Sequence, residues 1–369
     1  MHAPNTSSLT TPLLSCTLLG LVLGFAPGCE TEGYDDVLYL VADGDDVLRA
    51  AGDASRRGVI VFDDLDNPNN PPVNCKTVDL SSEFSEAAGP LRAQVAIDHR
   101  DSTQANRDAT TAWVQWVSTT KIKVCVRELS YSFGNGGLHQ DGLSVSYMVY
   151  DGAAVASARR SGRTSGLQMS GDTIDCTWIP FDEDTDNNDA AFVDHIPVVH
   201  ASLYNPQGLG DVGATVWLEE IELDRFKACA RTTAVDDPGG ATYTYAIDWY
   251  AFQLGANRQG ANLIDGYAAK SGSFSASDDP AVALDDWTNI KLCETVSFSG
   301  FSETPDLFLT VDHLSSGGHD ATTVWVEDLD SDSAEICFKE LADEGDPGNN
   351  ATNQHRANLR MTWTAIESP

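Results

Sequence analysis

A chain of 369 residues with 56 acidic against 22 basic residues, for a net charge of -34, lacks the basic surface that would hold a nucleic acid. Its hydrophobic content of 41% is ordinary for folded protein, so the charge does not signify global disorder. The acid excess reads first as a solvated surface that keeps the protein soluble, and second as an attraction for cations or basic partners.

The amino-terminal segment reads as an export signal. An apolar run from Leu13 to Phe25 is too short for a comfortable membrane span, and it ends at Ala26, Pro27, Gly28 and Cys29. Small residues just before a cysteine resemble a bacterial lipoprotein signal, with cleavage before Cys29 and a lipid on its thiol. Simple signal-peptide cleavage is the alternative. The expected outcome is an exported protein, anchored by lipid at the bacterial surface or outer membrane or else secreted, whose only membrane contact is that anchor. Segment 1–28 is then the signal peptide, and 29–50 carries the anchor, a linker and an extra strand at Val37 to Val41, which either caps the first repeat or is a remnant of the linker.

From there the chain is one small unit written three times. Trp113 to Cys125, Trp217 to Cys229 and Trp325 to Cys337 all span twelve residues, and Cys75, Cys176 and Cys293 precede the second cysteines by 50, 53 and 44 residues. The period places sandwich repeats at 51–152, 153–258 and 259–369. With Cys16 removed and Cys29 lipidated, six cysteines remain, and a threefold repeat selects Cys75–Cys125, Cys176–Cys229 and Cys293–Cys337 from the fifteen pairings. Each such loop stabilises its unit by about 4 kcal/mol on the chain-entropy model. Zinc is the weaker alternative, because no close pair of cysteines presents two thiolates to one ion.

Within each repeat the predicted elements run in the same order. Pro90, Pro197 and Pro305 open apolar strands that end at Asp98-His99, Tyr204-Asn205 and Asp312-His313. A hairpin follows, its first strand anchored by the tryptophan and its second by the cysteine. In the returning strand Ile122, Val124 and Val126 share one face while Lys121, Lys123, Cys125 and Arg127 share the other, which predicts a disulfide on the solvent side. Closing strands run Leu143 to Tyr150, Tyr243 to Phe252 and Leu359 to Ile366, with aromatic anchors Tyr147, Trp249 and Trp363. Helical periodicity is absent for any useful length. The fold class expected is all-β, three tandem antiparallel β-sandwiches with one internal disulfide each.

The order of proline, apolar strand, hairpin, Phe226-Lys227-Ala228-Cys229 and an aromatic closing strand through Tyr245 and Trp249 resembles the H-type lectin domain of snail agglutinins and slime-mould discoidins. That resemblance implies six-stranded antiparallel sandwiches, a cysteine pairing like the one above, trimer formation and sugar bound between subunits. Three copies on one chain would then close into a pseudo-trimer, a linear array being the alternative. Thr111, Thr215 and Thr323 stand where the resemblance implies a sugar-contacting arginine, and Arg127-Glu128, Arg231-Thr232 and Lys339-Glu340 replace its Trp-His pair.

Candidate site residues follow from both readings. Asp98, His99, Asp312 and His313 offer imidazole beside carboxylate for sugar, metal or proton transfer, or simply cap their strands. Asp184 and Asp186 stand where the resemblance implies a sugar-contacting aspartate, at a junction between copies. With Asp182 they form an acidic loop able to hold calcium, or solvated turn acids; Asp63 to Asn67 and Asp328 to Asp332 are thinner versions. No other cofactor is expected. No GxSxG, HExxH or phosphate loop appears, so the expected function is non-catalytic carbohydrate binding, with glycans or cell-surface proteins as partners. A structural or adhesive protein is the alternative, and a hydrolase using the Asp-His pairs a remote one. Trp113, Trp217 and Trp325 read as core anchors.

Overall fold

The computed structural model describes residues 55–62, 73–80, 84, 90–98, 110–128, 143–151, 159–170, 174–181, 192, 195–205, 213–232, 242–253, 263–264, 267–275, 292–313, 322–340 and 359–368. The expected extra strand at Val37 to Val41 lies outside them, as do Cys29 and the loop holding Asp182, Asp184 and Asp186. Copy 1 contains β1 (Ser55–Phe62), β2 (Val73–Asp79), β3 (Leu91–Asp98), β4 (Thr110–Val117), β5 (Lys121–Glu128) and β6 (Leu143–Asp151). Copy 2 contains β7 (Arg159–Ser170), β8 (Asp175–Pro180), β9 (Val198–Tyr204), β10 (Ala214–Glu219), β11 (Arg225–Thr232) and β12 (Thr242–Phe252). Copy 3 contains a short β13 (Leu263–Ile264), then β14 (Tyr267–Ser275), β15 (Leu292–Ser297), β16 (Asp306–His313), β17 (Thr322–Leu329), β18 (Ser333–Glu340) and β19 (Leu359–Ile366). The fold is all-β, and Pro90, Pro197 and Pro305 stand immediately before β3, β9 and β16, where a missing N–H breaks no ladder.

The three sheets do not belong to one copy each. Their strand orders are β1-β6-β3-β17-β18-β15, β13-β14-β19-β16-β10-β11-β8 and β2-β5-β4-β9-β12-β7. Every sheet therefore joins half of one copy to half of another, through a short parallel contact: Val114 with Tyr204, Leu218 with Asp312, and Val326 with Asp98. The joins run from copy 1 to 2, from 2 to 3 and from 3 back to 1. That closed cycle defines a pseudo-threefold axis and settles the choice between a ring and a linear array in favour of the ring. Pairing within each copy is antiparallel throughout.

The disulfides are Cys75–Cys125, Cys176–Cys229 and Cys293–Cys337, each between directly opposed residues of neighbouring strands. Their expected position on a solvent face is incorrect. Cys125, Cys229 and Cys337 are fully buried, because sharing a sheet between copies lays this face over the next copy's core. Each tryptophan sits across the ladder from its cysteine and goes with it. Trp113 and Cys125 pack with Val199, Leu203 and Ile247 of copy 2; Trp217 and Cys229 pack with Val311 and Met361 of copy 3; Trp325 and Cys337 join the core of copy 1. The three tryptophans are core anchors, but of the neighbouring copy.

A second repeated device is a glycine in β1, β7 and β14, opposite the aromatic of the closing strand. Gly58 pairs with Tyr147, Gly162 with Trp249 and Gly272 with Trp363. A Cβ would come within 2.9 Å of the Tyr147 hydroxyl and within 2.3 and 2.6 Å of the Trp249 and Trp363 rings, so each aromatic side chain packs against bare backbone.

Candidate functional site at the junctions between copies

The innermost layer is a ring of threonines. The Thr111 hydroxyl donates to the Ala214 carbonyl at 2.5 Å, Thr215 to Thr322 at 2.8 Å and Thr323 to Thr110 at 2.7 Å, so each copy bonds the next and the last bonds the first. All three side chains are buried. At these positions the resemblance implied a sugar-contacting arginine; here they are bonded to the protein's own backbone at the axis. Thr111, Thr215 and Thr323, with Ala96, Ser202 and Leu309, line a cavity of about 60 Å³. A water needs about 10–15 Å³, so the space suits a few waters.

Next to the threonines lies a layer in which the copies differ. By the register of the joins, Gln94, His200 and Phe308 are equivalent positions. Gln94 donates to the Tyr150 hydroxyl and the Asp248 carbonyl, linking copies 1 and 2. His200 places its ring nitrogens 2.9 Å from the Thr310 hydroxyl and 2.7 Å from the Thr364 hydroxyl, linking copies 2 and 3. Phe308 packs with Ala96, Met148 and Tyr150, closing copy 3 onto copy 1. Burial pulls the His200 imidazole down to about 3, so it is neutral at physiological pH.

Charged latches complete the junctions. Asp248 has no exposed side-chain surface and accepts from Ala93 N–H at 2.9 Å and from Arg163 at 2.5 and 2.7 Å. Arg163 also stacks on the Tyr204 ring, 3.5 Å from its centroid. Burial pushes the Asp248 carboxyl above its ordinary range, with Arg163 and the amide pulling it back. Between copies 1 and 3, Arg57 lies 3.4 Å from Asp306 and donates to the Glu367 carbonyl at 2.7 Å.

The Asp-His pairs fall at these same joins. Asp98 is buried where β3 meets β17; His99 lies outside the described residues. Asp312 is buried against Arg360, whose Nε donates at 2.9 Å and whose Nη2 also donates. Burial raises the Asp312 carboxyl, Arg360 opposing and Glu219 adding. His313, also buried, stands beside Glu219 in the parallel register, its ring 5.9 Å from that of Trp217. Neighbouring residues of a strand serve opposite faces, and here the two side chains meet different partners, so Asp312 and His313 form no acid-base dyad.

Glu219 is a residue the sequence reading passed over. Its carboxylate accepts from the Trp217 indole N–H at 3.2 Å and pairs with Lys227 at 2.9 Å. Glu327 repeats the indole bond in copy 3, from Trp325 at 2.7 Å, and Gln115 holds the position in copy 1. An acid two residues after tryptophan was the available signal. Among the described residues, Cys176, Cys229 and Glu219 bring metal-type ligand atoms within 4.8 Å of one another. Two are joined as a disulfide and the third is bound to Lys227, so they hold no metal in this form. Asp330 N–H donates to the Ser333 carbonyl in an ordinary hairpin turn, the place of the thinner acidic loop there.

No protein-family model matches this chain, and no curated protein or solved structure matches it.

Proposed function

We propose that this chain is an exported surface protein that binds carbohydrate without catalysis. The closed ring of three sandwiches carries the reading. The likeness to H-type lectins implies trimers with sugar between subunits, and a single chain whose copies join in cyclic order has the same threefold arrangement. An array of immobilised oligosaccharides, probed with the mature full-length chain, tests it: reproducible binding to one glycan class is expected, and silence across neutral and acidic glycans overturns it. The segment ending at Cys29 supports export with a lipid anchor, and intact-mass analysis of the membrane fraction should find a lipidated Cys29 as the first residue. A protein-binding adhesin is the second reading. It is favoured by Val59 and Val61, each about 40% exposed on β1, which ends its sheet among the described strands, so that an incoming strand could pair there.

A further inference from the structure

The three copies serve as controls for one another: a feature the fold requires recurs in all of them, and one that occurs once asks for another reason. Trp178 occurs once. It lies on β8, two residues after its half-cystine and opposite Lys227. At the same register copy 1 has Thr77 opposite Lys123, and copy 3 has Thr295 opposite Glu335. Threonine therefore satisfies the architecture, yet copy 2 keeps an indole there with 39% of its surface exposed.

The surroundings of that indole are also peculiar to copy 2. The Arg225 guanidinium sits 4.5 Å from the ring centroid, and its Nε donates to Glu222 at 3.0 Å across the turn between β10 and β11. Arg225 and Glu222 are both about half exposed. Lys227 reaches Glu220 at 3.7 Å, and Glu220 has φ of 49°, the one described non-glycine residue in the left-handed region. Copies 1 and 3 instead absorb the step here as register shifts between Val114 and Trp116 and between Val326 and Asp328, which leave Gln115 and Glu327 out of the ladder. Among the described residues, a non-glycine backbone conformation that costs about 1 kcal/mol or more is kept at this turn and at no other.

We infer that Trp178, Arg225, Glu222, Glu220 and Lys227 form a carbohydrate platform on the outer edge of copy 2, taking one pyranose ring of a neutral sugar per chain. Arg225 covers one face of the indole, so the pyranose lays its apolar C–H face on the other, while carboxylates accept from ring hydroxyls and the guanidinium and ammonium donate to them. Because the cations are already balanced by Glu222, Glu220 and Glu219, the cluster has no spare positive charge with which to select an acidic sugar. The inference rests on the carbohydrate reading above but moves the site from the three junctions to one edge, and predicts one site per chain.

The test compares the full chain with Trp178→Thr, the residue that copies 1 and 3 place there, and with Glu222→Gln. Oligosaccharides that score on the array are titrated by calorimetry against each. The expected result is a stoichiometry of one, a loss of at least about tenfold in affinity for Trp178→Thr, and an unchanged melting temperature. N-bromosuccinimide oxidation of Trp178 in the native chain, followed by peptide mass spectrometry, should be slowed by the bound oligosaccharide; this readout needs no variant. If the native chain binds and Trp178→Thr binds equally well, the platform is wrong while carbohydrate binding stands. If the native chain binds no oligosaccharide on the array, both fall.

Discussion

Two adjacent layers at the pseudo-threefold axis are built on opposite rules. In one, Thr111, Thr215 and Thr323 make the same hydrogen bond to the next copy, so any copy would fit any place. In the other, Gln94, His200 and Phe308 occupy equivalent positions and meet different partners, so each junction accepts one pair of copies. The first layer supplies closure. The second supplies order, since a wrong pairing would bury an amide or imidazole against an apolar wall, or leave two threonine hydroxyls facing a phenyl ring.

Exchanging residues between these places should break the distinction most severely in the ordered layer. Phe308→Gln gives copy 3 the residue of copy 1, removing a buried ring and leaving an amide among Ala96, Met148 and Ile366. A loss of about 3–5 kcal/mol is expected, read as a lower denaturation midpoint. A near-neutral result would show the layer to be interchangeable.

Acid should act next. His200 binds protons only near pH 3 when folded, because of burial, but near its ordinary value when unfolded. Since the folded value is depressed, its contribution is fully present above about pH 6.5 and is lost as pH falls towards 3, reaching about 2 kcal/mol by pH 5. Chemical denaturation at pH 7 and pH 5 should show a smaller difference for His200→Gln than for the native chain. Equal differences would mean that His200 takes no part in acid sensitivity. Asp248 and Asp312, whose carboxyls are raised by burial, act in the opposite sense and cancel in this comparison of two chains.

Among the shared devices the glycine beneath each aromatic should matter more than the threonines. Gly162→Ala puts a methyl into the Trp249 ring and should cost about 1–3 kcal/mol, with Gly58→Ala the mildest of the three because Tyr147 meets the new carbon mainly with its phenol end. Thr215→Val should cost about 1 kcal/mol, and its counterparts at Thr111 and Thr323 a similar amount. Unequal threonine costs would argue against a symmetric ring. All of these can be read by thermal unfolding under non-reducing conditions.

How much was legible in the sequence follows the same division between copy and neighbour. Spacing of tryptophan and cysteine gave the hairpins, the closing strands and the disulfides, because these are contacts made within one repeat. The apolar face of Ile122, Val124 and Val126 was read correctly for that reason. Its opposite face was misread as solvent-exposed because it carries Lys123 and Arg127; in the structure a second copy covers it. Long basic side chains bury their stems there and keep a carboxylate for the head, as Lys227 does with Glu219. No local period announces which copy will lie next to which. The glycines at 58, 162 and 272 were a legible signal that went unused: each precedes its aromatic by 87 to 91 residues. Trp178 shows the converse, a residue conspicuous only because its two counterparts are threonine.

The join of Val326 to Asp98 gives the molecule a timetable as well as a shape. During synthesis, copy 1 can form its antiparallel ladders as soon as residue 151 emerges, but its core stays incomplete until Trp325 and Cys337 arrive from the far end of the chain. Contacts this distant in sequence form late and slowly. Folding therefore ends where it began, and a chain cut short before β17 would leave its earliest sandwich with an open, sticky flank.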